Sequence, residues 1–299
     1  MKWLVRALVV IAVLGVAFGG YVYKRLSTIE VAQLTERAWV LHGFGGNVTL
    51  LKTGAGAVMV DSLTFKMQGR LLKDKAQEIT GEPVVMIINT HFHRDHSHGN
   101  PAFDTAVDVV ATSNTLKYLQ HSDPVEGYWD GDAAELLPNK LVDGVEDIKV
   151  GDQRIRLLHP GRGHTDGDLV VVLLDQGIIA LGDLFFNRRY PNIDIDHGAS
   201  ITNWPQTLEN TLNQPFEIAI PGHGVVSDAD GIRVFQSFLT QLSGVVKAVK
   251  ANGWTLEQTY QQAELTEDGG YGIGSLPFVY RLDREFVLRR AWEEAQTLN

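Results

Sequence analysis

The pattern of apolar and polar positions separates an apolar N-terminal segment from a body of short strands followed by helices. Within residues 37–61, apolar runs interrupted by glycines predict a hairpin region of two or three strands. Residues 65–80 carry apolar side chains on one helical face and predict a helix. Further apolar runs predict strands at 84–89, 107–112, 154–159, 168–175, 177–183 and 216–222.

The C-terminal part of the chain changes to helical periodicity. Ile232, Phe235 and Leu239 begin an apolar series at helical spacing, and two more helices are predicted over 254–263 and 280–298. No repeat, low-complexity tract or proline-rich linker divides residues 37–299, so we predict one domain over this range. Two groups of strands with helices around them indicate an α+β fold in which two sheets pack face to face under a helical cover.

Residues 1–26 form the apolar N-terminal segment. Positions 7–23 carry no charge. This uncharged stretch is near the minimum length of a membrane span and is long for the core of a signal peptide. Lys2 and Arg6 precede this stretch, which predicts that the N-terminus stays inside and the body is exported. We expect either an uncleaved single-pass anchor in the cell membrane, with the body in the periplasm, or a signal peptide whose cleavage leaves a soluble periplasmic protein.

Composition and charge narrow the choice of partners. The 299 residues are 44% hydrophobic and 21% charged, which is typical of a globular protein. The absence of cysteine excludes disulfides, thiolate metal sites and cysteine nucleophiles. Residues 1–26 hold four basic and no acidic side chains, so the rest of the chain has 22 basic and 36 acidic ones, a formal charge of −14. This charge repels phosphate backbones, so we predict a small-molecule substrate and no nucleic-acid partner.

The segment INTHFHRDHSHGN, residues 88–100, is the richest in groups that carry chemistry. His91 and His93 are two positions apart, so in an extended segment both imidazoles point to the same side. Asp95 and His96 follow and add a carboxylate and a third imidazole. Imidazole and carboxylate ligands without thiolate suit Zn²⁺ or another divalent first-row metal.

Three further residues with ligand chemistry stand at the ends of predicted strands. His164 lies in PGRGHTDGD, Asp183 in GIIALGD and His223 in IAIPGHG. Each of them alone fits a turn or a strand cap. Because loops at strand ends are held in place by a rigid sheet, the three together with the histidine-rich segment complete two metal coordination spheres.

Four motifs in this order resemble the metallo-β-lactamase superfamily: HFHRDH (91–96), GHT (163–165), LGD (181–183) and PGHG (221–224). The resemblance extends from about residue 37 to residue 250 and implies a four-layer αβ/βα sandwich with metals at one edge of the two sheets. It also implies a first metal held by His91, His93 and His164, a second held by Asp95, His96 and His223, and Asp183 bridging both.

The bridging aspartate is similar to the arrangement in glyoxalase II-like and lactonase-like hydrolases. Many β-lactamases of the superfamily have a cysteine or serine at the corresponding place. The stretch GDLFFNRRYPNID (182–194) is similar to periplasmic members linked to quinoprotein and sulfur metabolism.

The resemblance implies a hydrolase with two divalent metal ions, zinc first and iron or manganese as alternatives. A hydroxide bridging the two ions would attack the carbonyl group of an ester, lactone, thioester or amide. We expect Asp95 to be catalytic, orienting the hydroxide and passing its proton to the leaving group. The open alternatives are a β-lactamase, a mononuclear-iron dioxygenase acting on thiols or persulfides, and a metal-binding protein without turnover.

Residues around these ligands have predicted supporting roles. Asp61 ends a hairpin strand, where the family often places a carboxylate that steadies a ligand histidine. Arg188, Arg189 and Tyr190 follow Asp183 closely and are predicted to line the substrate mouth, where the arginines would bind a substrate carboxylate.

Two aromatic side chains and the C-terminal helix have further predicted roles. Tyr128 and Trp129 are predicted to close over an apolar substrate, and the C-terminal helix either packs on the core or forms a homodimer contact. No role is assigned from the sequence to His42, His121 or His197, because they show no ligand spacing.

Overall fold

The computed structural model describes residues 2–121, 137–276 and 280–298; Tyr128 and Trp129 lie outside these ranges. Its helices in chain order are α1 (Lys2–Ser27), α2 (Lys66–Thr80), α3 (Arg94–Ser97), α4 (Ser113–Leu119), α5 (Trp204–Leu212), α6 (Ala229–Asn252), α7 (Leu256–Gln262) and α8 (Arg284–Thr297). Its strands are β1 (Glu30–Gln33), β2 (Ala38–His42), β3 (Asn47–Leu51), β4 (Ala57–Val60), β5 (Val84–Ile88), β6 (Asp108–Ala111), β7 (Lys140–Leu141), β8 (Val145–Val150), β9 (Gln153–Leu158), β10 (Val170–Leu173), β11 (Ile178–Ala180), β12 (Ile218–Ile220), β13 (Gly274–Leu276) and β14 (Tyr280–Leu282).

The strands form two large sheets and one small hairpin. The first sheet is seven-stranded in the order β1 to β7, antiparallel as far as β4 and parallel from β4 to β7. The second sheet is five-stranded in the order β12-β11-β10-β9-β8, and only its β11–β12 pair is parallel. Strands β13 and β14 pair with each other.

Apolar side chains fill three interfaces between four layers. Between the two sheets, Val58 and Ile88 of the first lie in one cluster with Val171 and Ile178 of the second. The opposite face of the first sheet packs on α2, where Leu72 is buried. The opposite face of the second sheet packs on α5, α6 and α8. The α+β fold with its four-layer αβ/βα sandwich is thereby confirmed.

One sequence prediction changes at the C-terminus. The predicted helix over 280–298 is a strand, β14, followed by α8, which begins after Asp283 because that carboxylate caps the helix by accepting a hydrogen bond from the Phe286 backbone NH at 3.0 Å. Helix α8 packs on the core, with Val287 and Leu288 buried there.

The N-terminal segment is helical as α1. Within the described part of the chain, no helix has the length and hydropathy needed to cross a membrane. Export and anchoring of the protein stay predictions.

The two sheets meet at one edge through backbone hydrogen bonds. The Leu169 NH of the second sheet donates to the Thr90 carbonyl after β5 at 2.7 Å, and the Asn47 NH of the first sheet donates to the Gly222 carbonyl after β12 at 3.0 Å. The loops that follow β5, β9, β11 and β12 therefore converge on this edge, and the four motifs lie in these loops.

Candidate metal centre

The histidine-rich segment leaves β5 and turns into the single-turn helix α3 (Arg94–Ser97). His91 and His93 precede the helix, and Asp95 and His96 lie within it, so the turn gathers side chains that an extended strand would separate. The Ser62 NH donates to the His96 carbonyl at 2.7 Å and fixes the turn on the first sheet. His91, His93 and His96 are buried.

A first donor set consists of His91, His93, His164 and Asp183. The His93 Nδ1 atom lies 3.1 Å from His91 Nε2 and 2.8 Å from His164 Nε2. Asp183 Oδ2 lies 3.6 Å from His164 Nε2 and 4.0 Å from His91 Nε2. Tetrahedral zinc with bonds of about 2.0 Å holds its ligand atoms roughly 3.3 Å apart, so this spacing fits one such ion.

A second donor set consists of Asp95, His96 and His223. The other oxygen of Asp183, Oδ1, faces this set at 3.1 Å from His96 Nε2 and 3.2 Å from His223 Nε2. Asp95 Oδ2 lies 3.4 Å from His223 Nε2 and 3.9 Å from His96 Nε2. The structure thus brings all the predicted ligands together, with one oxygen of Asp183 toward each set.

Unpaired atoms in the centre test whether these residues fit metal ions. His96 Nε2 and Asp183 Oδ1 are buried and face each other at 3.1 Å, but neither makes a hydrogen bond of acceptable geometry with any described residue. A buried polar atom without a partner costs about 1–3 kcal/mol, which a metal–ligand bond would relieve. Gly222 allows its loop to approach Asp183 closely, because a Cβ atom there would collide with Asp183 Oδ1. The two donor sets and the two unpaired atoms fit a pair of divalent ions.

The charge states of the ligands follow from burial and from each other. Burial lowers the pKa of His164 to about 4 and that of His91 well below its ordinary value, so both imidazoles are neutral, as ligation requires. Burial opposes ionisation of Asp183, but His223 and His96 hold its pKa well below the usual range. Burial also opposes protonation of His96, yet Asp183 and Asp61 raise its pKa, so a metal binding there displaces a proton.

Asp61 orients His96. Its Oδ2 accepts hydrogen bonds from His96 Nδ1 and Thr90 Oγ1, both at 2.8 Å, and its Oδ1 accepts one from the Thr90 backbone NH at 2.8 Å. With Nδ1 protonated, Nε2 is left to face the second set. The role predicted for Asp61 agrees with these contacts. Its backbone has a φ of +67°, in the left-handed region that few non-glycine residues adopt.

Two other ligand histidines are oriented by groups that the sequence did not single out. Asp194 Oδ2 accepts from His93 Nε2 at 2.8 Å, which leaves His93 Nδ1 for the first set. The Asn192 carbonyl accepts from His164 Nδ1 at 3.0 Å, which leaves Nε2 of that ring. Both residues lie in the 182–194 stretch noted from the sequence, but no spacing relates them to the ligands they hold.

A place at the substrate mouth stays a prediction for two of the three residues named for it. Arg188 and Arg189 are exposed. The prediction for Tyr190 is wrong: the side chain is buried in the helix-side core, and its hydroxyl donates to Asp268 Oδ2 at 2.7 Å. The residue turns inward because the Tyr190 NH and the Arg188 carbonyl both pair with Gly272.

Tyr280 of β14 is a residue that the sequence did not single out. Its side chain is half exposed. Partial burial raises its pKa, and the carboxylates of Asp95 and Asp183 raise it further. The predicted helix over 280–298 concealed this residue.

The family comparison matches residues 42–223 to the model described as the metallo-beta-lactamase superfamily. The protein "Metallo-beta-lactamase type 2" of Bacillus sp. (strain 170) is 28% identical over 212 residues, covering 67% of this chain and 78% of that protein. The protein of the same name in Bacillus cereus is 26% identical over the same length and coverage.

Solved structures share the fold. A metallo-beta-lactamase from Pontibacter korlensis superposes with a TM-score of 0.61 at 22% identity, covering 71% of this chain and 99% of that one. One from Hirschia baltica superposes with a TM-score of 0.58 at 23% identity, covering 71% of this chain and 97% of that one. At these identities the likeness concerns the fold alone.

Proposed function

The chain belongs to the metallo-β-lactamase superfamily, a family of metal-dependent hydrolases, and on this premise we propose a dinuclear enzyme that cleaves a small ester, lactone, thioester or amide at its carbonyl group. One observation carries the proposal: Asp183 directs Oδ1 toward His96 and His223, and Oδ2 toward His91 and His164. In a site for one metal ion, the two oxygens of a carboxylate would not need to face two separate sets of ligands.

When bound, two divalent ions, with zinc as the first candidate and iron or manganese as alternatives, supply hydroxide at neutral pH and polarise the substrate carbonyl. The chain's own contribution begins with Asp183, whose ionised and buried carboxylate holds the two donor sets at a fixed separation. Asp95, with a side chain 32% exposed, stands where the site opens to solvent. Its Oδ2 faces the second donor set, so the other carboxylate oxygen is the one left to accept a proton and to donate it to the leaving group.

The test is metal content together with a substrate panel. We expect about two ions per chain by elemental analysis, and turnover of at least one ester, lactone or thioester. One iron per chain, with oxygen uptake in the presence of a thiol or persulfide, would contradict the proposal and support the dioxygenase. Two ions without turnover of any acyl substrate would support the metal-binding protein.

Hydrolysis of β-lactams is the second candidate function. The relatives from both Bacillus species carry the β-lactamase name and match over 78% of their length. The bridging carboxylate of Asp183 in a chain without cysteine is the observation that ranks it below the other carbonyl substrates. A chromogenic β-lactam in the same panel separates the two, because a turnover above that of every ester, lactone and thioester would reverse this ranking.

A further inference from the structure

His197 ends a short turn, Ile195–His197, beside the first donor set. Its Nδ1 donates to Asp194 Oδ2 at 2.8 Å, the same oxygen that accepts from His93 Nε2 at 2.8 Å. The His197 backbone NH also reaches Asp194 Oδ1 at 3.3 Å. One carboxylate is therefore shared by a metal-ligand histidine and by a second histidine that belongs to neither donor set.

Side chains from other loops hold the His197 ring. It meets Tyr118 edge to face at a centroid distance of 4.7 Å and lies 4.7 Å from the ring of Phe92. Asp166, in the loop that carries His164, donates its backbone NH to the His197 carbonyl at 3.1 Å and accepts the Tyr118 hydroxyl at 3.2 Å. The position of His197 is thus set by the chain on both sides of the metal centre.

The arrangement parallels the other carboxylate that orients a ligand. Asp61, which holds His96, is itself fixed by the side chain and backbone NH of Thr90. Asp194, which holds His93, is fixed by the side chain and backbone NH of His197. Each carboxylate accepts two hydrogen bonds from one neighbouring residue, Thr90 for Asp61 and His197 for Asp194. The carboxylate can turn away from the histidine of the donor set only if these two hydrogen bonds break.

We propose that His197 is a positioning residue for the first metal: its Nδ1–H holds Asp194 in the orientation that keeps His93 Nδ1 directed at the ion. The inference rests on the proposed function to the extent that the first donor set holds a metal. It assigns no contact between His197 and the substrate.

The test separates the hydrogen bond from ring packing with two variants. His197→Phe keeps an aromatic ring against Tyr118 and Phe92 but has no donor, and His197→Asn keeps a donor near the Nδ1 position but has no ring. Full-length protein is stripped of metal and titrated with zinc against a chromophoric chelator, and the cobalt-substituted form is followed by its visible absorption. His121→Ala is the matched control, because His121 is exposed and its ring, among the residues that the structure describes, bonds to the Lys117 carbonyl of the preceding helix, α4.

Removing a group that orients a ligand histidine typically weakens metal binding about 10- to 100-fold. His197 is one hydrogen bond further from the metal than such a group, so we expect His197→Phe to lose about 3- to 10-fold in zinc affinity at one site. The cobalt spectrum should change with it, and His197→Asn should stay within about twofold of the wild type. The metal-free His197→Phe protein, which keeps the ring contacts, should melt close to the wild-type temperature, whereas His197→Asn, which lacks them, should melt lower.

The proposal is overturned if His197→Phe binds zinc like the wild type, or if His197→Asn loses as much affinity as His197→Phe. Should His197→Phe not fold, His197→Ala also lacks the donor and replaces it in the comparison. A wild-type protein that binds no metal would contradict the proposed function itself, which is a different result from a variant that binds as the wild type does.

Discussion

The two donor sets differ in exposure although they share Asp183. His91, His93, His164 and Asp183 of the first set are all buried. In the second set only His96 is buried, while Asp95 is 32% and His223 22% exposed at the side chain. Burial of neutral imidazoles suits permanent ion binding, and exposure suits exchange with water, protons and substrate. From this difference we predict that the first set binds a metal ion more tightly than the second, and that the second set is the one that contacts substrate.

Asp183→Asn should weaken metal binding by both donor sets together and so remove the difference in affinity between them. The amide keeps the size of the side chain but removes the charge that both sets require, so we expect activity to fall by about 10⁴-fold and metal content to fall below one ion per chain. Asp196→Asn, an exposed acid nearby, is the control. Retention of two ions in Asp183→Asn would show that the shared carboxylate is not needed.

Asp95→Asn should affect the exposed set alone. The amide cannot take up the proton, so we expect a loss of about 10²- to 10³-fold in kcat, while at least one ion per chain stays bound by the buried set. Elemental analysis and steady-state kinetics on the same preparation measure both quantities. A metal-free and fully active Asp95→Asn protein would remove the distinction between the sets.

Asp61 allows the exposed set to be weakened through His96 without touching a ligand. Asp61→Asn keeps an acceptor for the Thr90 NH and tolerates the left-handed backbone, so we expect a loss of about 10-fold in affinity for one of the two ions. Asp61→Ala loses every side-chain acceptor and should lose about 100-fold. Zinc titration against a chelator checks both, and equal affinities in the two variants would contradict this order.

Tyr280→Phe should have the smallest effect, because the side chain is half exposed and belongs to neither donor set. Loss of one neutral hydrogen bond to a substrate corresponds to about 2- to 10-fold in KM, with metal content unchanged. Tyr260→Phe, in α7 on the helical side, is the control. A changed metal content in Tyr280→Phe would place the residue closer to the ions than proposed here.

The ligands could be predicted from the sequence because their signal is local. His91, His93, Asp95 and His96 lie in one segment, and the remaining ligands each follow an apolar run, so strand ends alone bring them together. The fold class followed from the same runs. The edge strands β1, β7 and β8 lack such runs, and their pairing is a property of the assembled sheets.

The orienting groups could not be predicted because their partners are distant in the chain. Asp194 is 101 positions from His93, and their contact depends on how one loop of the second sheet meets one of the first. Tyr190 was misplaced for a related reason: nearness to Asp183 in sequence does not determine which way a side chain turns, and pairing with Gly272 turns it inward. His197 has no spacing signal, since its role exists only through Asp194.

The centre lies across the seam between the two halves of the sandwich. The residues from His91 to His96 extend from the first sheet, whereas His164, Asp183 and His223 extend from the second. Ions bound there are cross-links between two halves of a chain that has no cysteine to form a covalent one. Binding at a free ion concentration 1,000 times Kd adds about 4 kcal/mol to the free energy of unfolding. Resistance to heat and proteolysis in this protein should therefore depend on the supply of metal in its surroundings.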